Sequence, residues 1–137
     1  MQTFLPYADF EKTAKCLDWR RLGNQRVEAM LIIKNLEGER DSWYHHPAVQ
    51  MWRGYIDALK LYFNVISKEW EHRGFEHNLG YYDVDSEQME FPPWLGDELF
   101  HKSHKSNLLR KDPDFYSQYG WDVPADLDYV WPIEQNR

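Results

Sequence analysis

The chain has a single cysteine, Cys16, among 137 residues, so no internal disulfide can close and a reducing compartment is the natural setting. No run of about 18 apolar residues occurs, and no membrane span is expected. The opening Met1-Gln2-Thr3-Phe4-Leu5-Pro6-Tyr7 has no basic segment leading into an apolar one. No secretory signal is therefore expected, and a cytoplasmic location is. Low-complexity linkers and internal repeats are also missing, so residues 1–137 read most simply as one domain with its own core. Positive charge is scarce. There are 16 Lys and Arg against 23 Asp and Glu, a net charge of −7 that has the wrong sign for a simple nucleic-acid binder.

Some of the cations are clustered. Arg20, Arg21 and Arg26 form one group, and Lys102, Lys105, Arg110 and Lys111 form another in a stretch without acids, whereas Glu76 to Glu98 is acidic throughout. If the two groups face each other, a cationic surface sits on an acidic body and acts over the short range that salt permits.

Aromatic residues are abundant, with 7 Trp and 9 Tyr spread along the chain. Their spacing reads as mostly helical. Asp9 can cap a first helix running to about Leu17, and a second is expected to restart at Gly23 or Asn24 and end at Gly38. Gly38 to His46 reads as polar loop. Pro47 suits a first helical position, and Val49, Trp52, Ile56, Leu59, Phe63, Ile66 and Trp70 then alternate steps of three and four up to the stop at Gly74. One long central helix is predicted, with Trp52 in the core. Residues 76 to 94 read as irregular. Asp97 to Lys111 reads as a helix with acid first and base last, and Asp112-Pro113 opens a short helix ending at Gly120. Trp121 to Pro132 is expected to strap back over the core. The fold class is all-α: a compact single domain around the central helix, with irregular loops and a C-terminal strap.

The run Arg20-Arg21-Leu22-Gly23-Asn24-Gln25-Arg26-Val27-Glu28 is the densest chemistry in the chain. Residues three and four apart share a helix face, so Arg21, Gln25 and Glu28 line up in one row, and Leu22, Arg26 and Met30 in another. Guanidinium forks match phosphate oxygens in pairs, so Arg20, Arg21 and Gln25 are candidate contacts to an anionic substrate; an ordinary Arg–Glu surface pair is the competing account. His101 and His104 stand one turn apart, but no further ligand pattern accompanies them and Lys102 and Lys105 interleave. No metal is expected. Phosphate contact by His101, His104, Lys105 and Asn107 is the preferred reading. His46 is either a substrate contact or a polar helix entry, and Arg53, on the polar face, is placed to reach Glu28 or a phosphate. Trp43, Tyr44 or Trp94, where exposed, would stack on an unpaired base.

The opening MQTFLPY, the RRLGNQRVE run, HPAVQMWRG, PPWLGD, HKSHKSNLLRKDP and YVWP occur together here, along with Glu69-Trp70-Glu71-His72-Arg73-Gly74-Phe75 and Phe115-Tyr116-Ser117-Gln118-Tyr119-Gly120. In these motifs the chain resembles the pyrimidine-dimer DNA glycosylase (phage endonuclease V-like) family, in particular bacterial and phage members sharing nearly all of them. The resemblance implies an all-helical DNA glycosylase, with apurinic/apyrimidinic lyase activity, acting on damaged or modified pyrimidines. It also implies a DNA partner, no cofactor and a monomer.

By this resemblance an N-terminal α-amine attacks C1′ of the damaged nucleotide, giving an imine that permits strand cleavage by β-elimination. An α-amine suits the task because its ordinary pKa, about 7.7 to 8.0, leaves a neutral fraction near physiological pH. Gln2 is too large to favour removal of Met1, so Met1 becomes the nucleophile, with Glu28 as the acid and Arg26 as the orienting cation. In the family pattern the acid directly follows the Arg. Here Val27 intervenes and turns Glu28 about 100° further round the helix. Two other readings fit the same residues: a non-catalytic nucleic-acid or nucleotide-binding module, and a nucleoside or nucleotide N-glycosidase.

Overall fold

Local capping chemistry starts most of the helices. In a computed structural model that describes residues 1–38 and 44–133, α1 spans Phe10–Cys16, with the Asp9 carboxylate accepting from Lys12 N at 3.1 Å. Helix α2 spans Trp19–Leu36 and is capped by Asp18, which accepts from Arg21 N at 3.3 Å. It therefore begins about a turn earlier than the glycine suggested. Gly23 lies inside the helix because the Trp70 indole needs the room: a Cβ there would come within 2.8 Å of that ring. Gly38, at φ 81°, ends the turn after α2 in the left-handed region, as its position predicted.

The predicted long central helix is two helices. Helix α3 spans Pro47–Gln50, and α4 spans Ile56–His72, with Gly54 at φ 88° between them. A left-handed residue cannot continue a right-handed helix, so the chain turns at Gly54. The apolar stripe nevertheless stays buried across the break: Val49, Trp52, Leu59, Phe63 and Ile66 are all 0% exposed. Helix α5 spans Glu98–Lys111 under an Asp97 cap, and α6 spans Pro113–Tyr116 under an Asp112 cap. A 3-10 turn, Ser117–Tyr119, closes on Gly120 in the left-handed conformation.

Helix α4 packs against both α2 and α1. One apolar cluster from Phe4 to Tyr116 joins all three helices to α5 and to the loop carrying Trp94. Among the described residues the structure is helical with extended connections and no strand, so the all-α class holds. No helix among them is long and apolar enough to cross a membrane.

Two extended segments complete the architecture, and α5 holds both through side chains. The N-terminal segment, with Thr3 and Leu5 each 0% exposed, runs through the core and not over it. The C-terminal strap is tied to α5 as well: Ser106 Oγ accepts from Leu127 N at 2.9 Å, Ser103 Oγ accepts from Val130 N at 3.1 Å, and Asn107 donates to Leu127 O at 3.1 Å.

Candidate functional site

Helix α2 carries Arg21, Gln25 and Glu28 in one row, and each does something different. Arg21 pairs with its own cap, Asp18, at 3.1 Å. Burial would raise the Asp18 carboxyl, but hydrogen bonds from Tyr116 Oη and from Arg21 outweigh it and hold the group below its ordinary value. Gln25 is buried. Its Oε1 accepts from Phe4 N at 2.8 Å and its Nε2 donates to Gln2 O at 3.0 Å. Glu28 is half-buried within electrostatic reach of the chain's first residue. Burial pushes its carboxyl above the usual carboxylate range, while the positive charge of the Met1 α-amine pulls it back.

The same amine acts on His46. This residue caps α3, with Nδ1 accepting from Ala48 N at 3.0 Å, so in the neutral ring the proton sits on Nε2. Burial first, and then the neighbouring amine, keep its imidazole below the ordinary pKa. Trp131 of the strap meets the His46 ring edge-on at 5.9 Å, and Tyr129 lies 6.3 Å from the Phe4 ring. A carboxylate on α2 and a neutral imidazole at the head of α3 thus both lie within electrostatic reach of the amine at the chain start, with strap aromatics against His46 and Phe4.

A cationic depression adjoins the start of α2. Arg20, Arg21, Asn24 and Lys111 line a space of about 540 Å³ with Asp18, Trp19, Asp112 and Phe115. The two predicted basic clusters do meet here, through Lys111 and not through the middle of α5.

Several candidates land elsewhere. Arg26 does not join Glu28: two residues on a helix diverge by about 200°, and the guanidinium instead covers the Trp70 ring at 4.7 Å and bonds His77 Nδ1 at 2.8 Å. Its assignment as the orienting cation is therefore corrected. Gln25, His101, His104 and Asn107 are not phosphate contacts, because all four are buried and bonded to the protein's own backbone. Lys105 sits over the Tyr7 and Trp121 rings, at 4.9 and 5.8 Å, on the opposite side of α5 from the strap serines. Arg53 stacks on Tyr44 and donates to its carbonyl at 3.0 Å, so it does not reach Glu28. Trp94 is buried with its indole N–H on Met51 O, which rules it out as an exposed stacking ring; Tyr44 is exposed, and Trp43 lies outside the described residues.

His104 carries a pH dependence that its geometry dictates. Its Nδ1 accepts from Leu5 N at 2.9 Å inside the core, and burial pushes its pKa down to about 3 from an ordinary 6.5. Between those values the unfolded chain takes up a proton that the folded chain refuses. Stability is thus full above about pH 6.5 and falls as pH drops toward 3, with a slope of up to about 1.4 kcal/mol per unit. Urea unfolding at pH 7 and pH 5 should show this fall, and His104→Asn should flatten it. Equal pH slopes for the two proteins would count against the assignment.

Sequence comparison bears on the same residues. The family model described as pyrimidine dimer DNA glycosylase matches residues 1–83. No curated protein and no solved structure matches the chain. The matched span is more than half of the chain and contains the α-amine, Gln25, Glu28 and His46. With the convergent groups all inside that match, the chain belongs to the pyrimidine dimer DNA glycosylase family and is a DNA N-glycosylase.

Proposed function

We propose that the protein removes pyrimidine-dimer or modified-pyrimidine bases from DNA with the Met1 α-amine as nucleophile, and that it then cleaves the strand as a lyase. The observation that carries this reading is the placement of Glu28 and His46 within the electrostatic reach of that amine.

The amine, in its neutral form, forms a bond to C1′ as the N-glycosidic bond breaks, and the base leaves with the electron pair and takes up a proton. Loss of the remaining amine protons and opening of the C1′–O4′ bond give an imine, with the former ring oxygen as a hydroxyl. Glu28 is suited to this sequence. A carboxylate beside C1′ stabilises the developing cationic sugar, and a carboxyl raised by burial can also carry a proton to O4′. Removal of a C2′ proton then expels the 3′ phosphate. His46, held neutral by burial, adds no second cation near the amine. Arg20, Arg21 and Lys111 in the depression at the start of α2 supply phosphate contacts. Retention of Met1 and action as a monomer belong to the same proposal.

Borohydride tests it. On a duplex with an abasic site, reduction is expected to trap a covalent protein–DNA adduct that peptide mapping places at Met1, and acetylation of the N-terminus is expected to prevent it. An adduct that survives acetylation would move the chemistry to a lysine. Base release without any adduct would make Glu28 the activator of a water nucleophile.

A further inference from the structure

The sequence placed Gln25, His101 and His104 among the substrate contacts, but the structure turns all three inward, onto the first residues of the chain. Gln25 Oε1 accepts from Phe4 N, Gln25 Nε2 donates to Gln2 O, and the Tyr62 hydroxyl donates to Phe4 O at 2.7 Å while lying 2.8 Å from Gln25 Oε1. His104 Nδ1 accepts from Leu5 N at 2.9 Å, and His101 Nδ1 donates to Leu5 O at 2.7 Å. Gly96 N donates to His101 Nε2 at 2.9 Å, which fixes the proton of that ring on Nδ1. The two imidazoles therefore hold opposite tautomers and grip the N–H and the carbonyl of the same residue.

These bonds come from α2, α4 and α5, and they replace the strand partners that a buried extended segment would otherwise need. A core filled with apolar side chains would avoid the desolvation of two imidazoles, a carboxamide and a phenol. What the polar set supplies is a fixed path for residues 2–5, and with it a fixed position for the amine at their head. Reaction at C1′ is steep in position: about 1 Å of misplacement costs about 10² in rate.

We propose that Gln25, Tyr62, His101 and His104 are positioning residues, a clamp on the N-terminal segment that fixes where the Met1 α-amine stands relative to Glu28 and His46. The inference rests on the amine being the nucleophile, as proposed above.

The test compares wild type with His104→Leu, which removes the acceptor for Leu5 N, His104→Asn, which restores an oxygen acceptor near the place of Nδ1, and Tyr62→Phe, which removes only a hydroxyl. Borohydride trapping on an abasic-site duplex is measured under single-turnover conditions, with duplex affinity and amide hydrogen exchange at residues 3–5. Trapping should slow at least about tenfold in His104→Leu and in Tyr62→Phe, with affinity within about twofold, and His104→Asn should recover most of the rate. Amide exchange at residues 3–5 should quicken in step with the loss. If His104→Leu does not fold, the same criteria apply to Tyr62→Phe, whose shape is unchanged. Wild-type trapping rates in variants whose N-terminal amides exchange faster would overturn the clamp while leaving the amine in its role. Absence of any Met1 adduct in the wild type would overturn the amine and the clamp together.

Discussion

Glu28→Gln is expected to lower base release by about 10² or more while DNA affinity stays within about twofold. The substitution keeps the shape of the side chain and its place on α2, so helix packing and the depression around Arg20, Arg21 and Lys111 are undisturbed. What it removes is the negative charge beside the Met1 amine and the only proton a carboxyl in that position can carry. Both matter more in the transition state than in the bound substrate, because the sugar becomes cationic only as the base departs. The loss should therefore appear in the single-turnover rate and not in the binding curve. An oligonucleotide carrying a pyrimidine dimer, assayed for cleavage of the N-glycosidic bond and separately for affinity, makes the comparison. A Gln variant as fast as wild type would leave Glu28 a structural acid.

Trp52→Ala is expected to cost about 3–5 kcal/mol, the usual range for emptying a buried aromatic. Trp52 is 0% exposed, meets Trp94 edge-on at 5.0 Å and lies 6.2 Å from the Tyr62 ring, so truncation empties space inside an aromatic cluster. Its indole N–H also donates to Thr3 Oγ1 at 3.1 Å, and truncation leaves that hydroxyl buried without this donor. Set against a total of about 5–15 kcal/mol for a domain of this kind, the change consumes much of the stability. Urea denaturation reports it directly, and a change under about 1 kcal/mol would place Trp52 outside the core. Because Thr3 belongs to the segment gripped by Gln25 and Tyr62, the variant should also lose trapping rate at temperatures where it remains folded.

Most helix boundaries were legible because capping is local. Asp9, Asp97 and Asp112 each bond an amide two or three residues on, and Gly38 and Gly120 take the left-handed conformation that a helix end requires. Where the sequence misled, two local signals competed. The glycine of the RRLGNQRVE run suggested a start, but Asp18 capped the helix earlier and Gly23 served the Trp70 contact. The apolar stripe from Val49 to Trp70 kept helical spacing through Gly54, because a one-turn interruption returns the chain to the same side of the core.

By itself the sequence determined the helical class, the row Arg21, Gln25 and Glu28 along one face of α2, and the divergence of Arg26 from Glu28, since helical periodicity alone separates positions 26 and 28. Tertiary structure decided what that row meets. HKSHKSN carries the polar and basic residues of a phosphate-binding helix, and no periodicity distinguishes that from a helix whose polar side chains are turned inward to hold other backbone. The difference lies in His101 and His104 meeting Leu5, 96 and 99 residues away in sequence, and in Ser103 and Ser106 meeting the strap. The electrostatic coupling of the Met1 amine to Glu28 and His46 is likewise set by long-range packing: three points remote in sequence come within reach of one another only once the N-terminal segment is threaded through the core, where buried backbone must find hydrogen bonds and side chains such as Gln25 and His104 provide them.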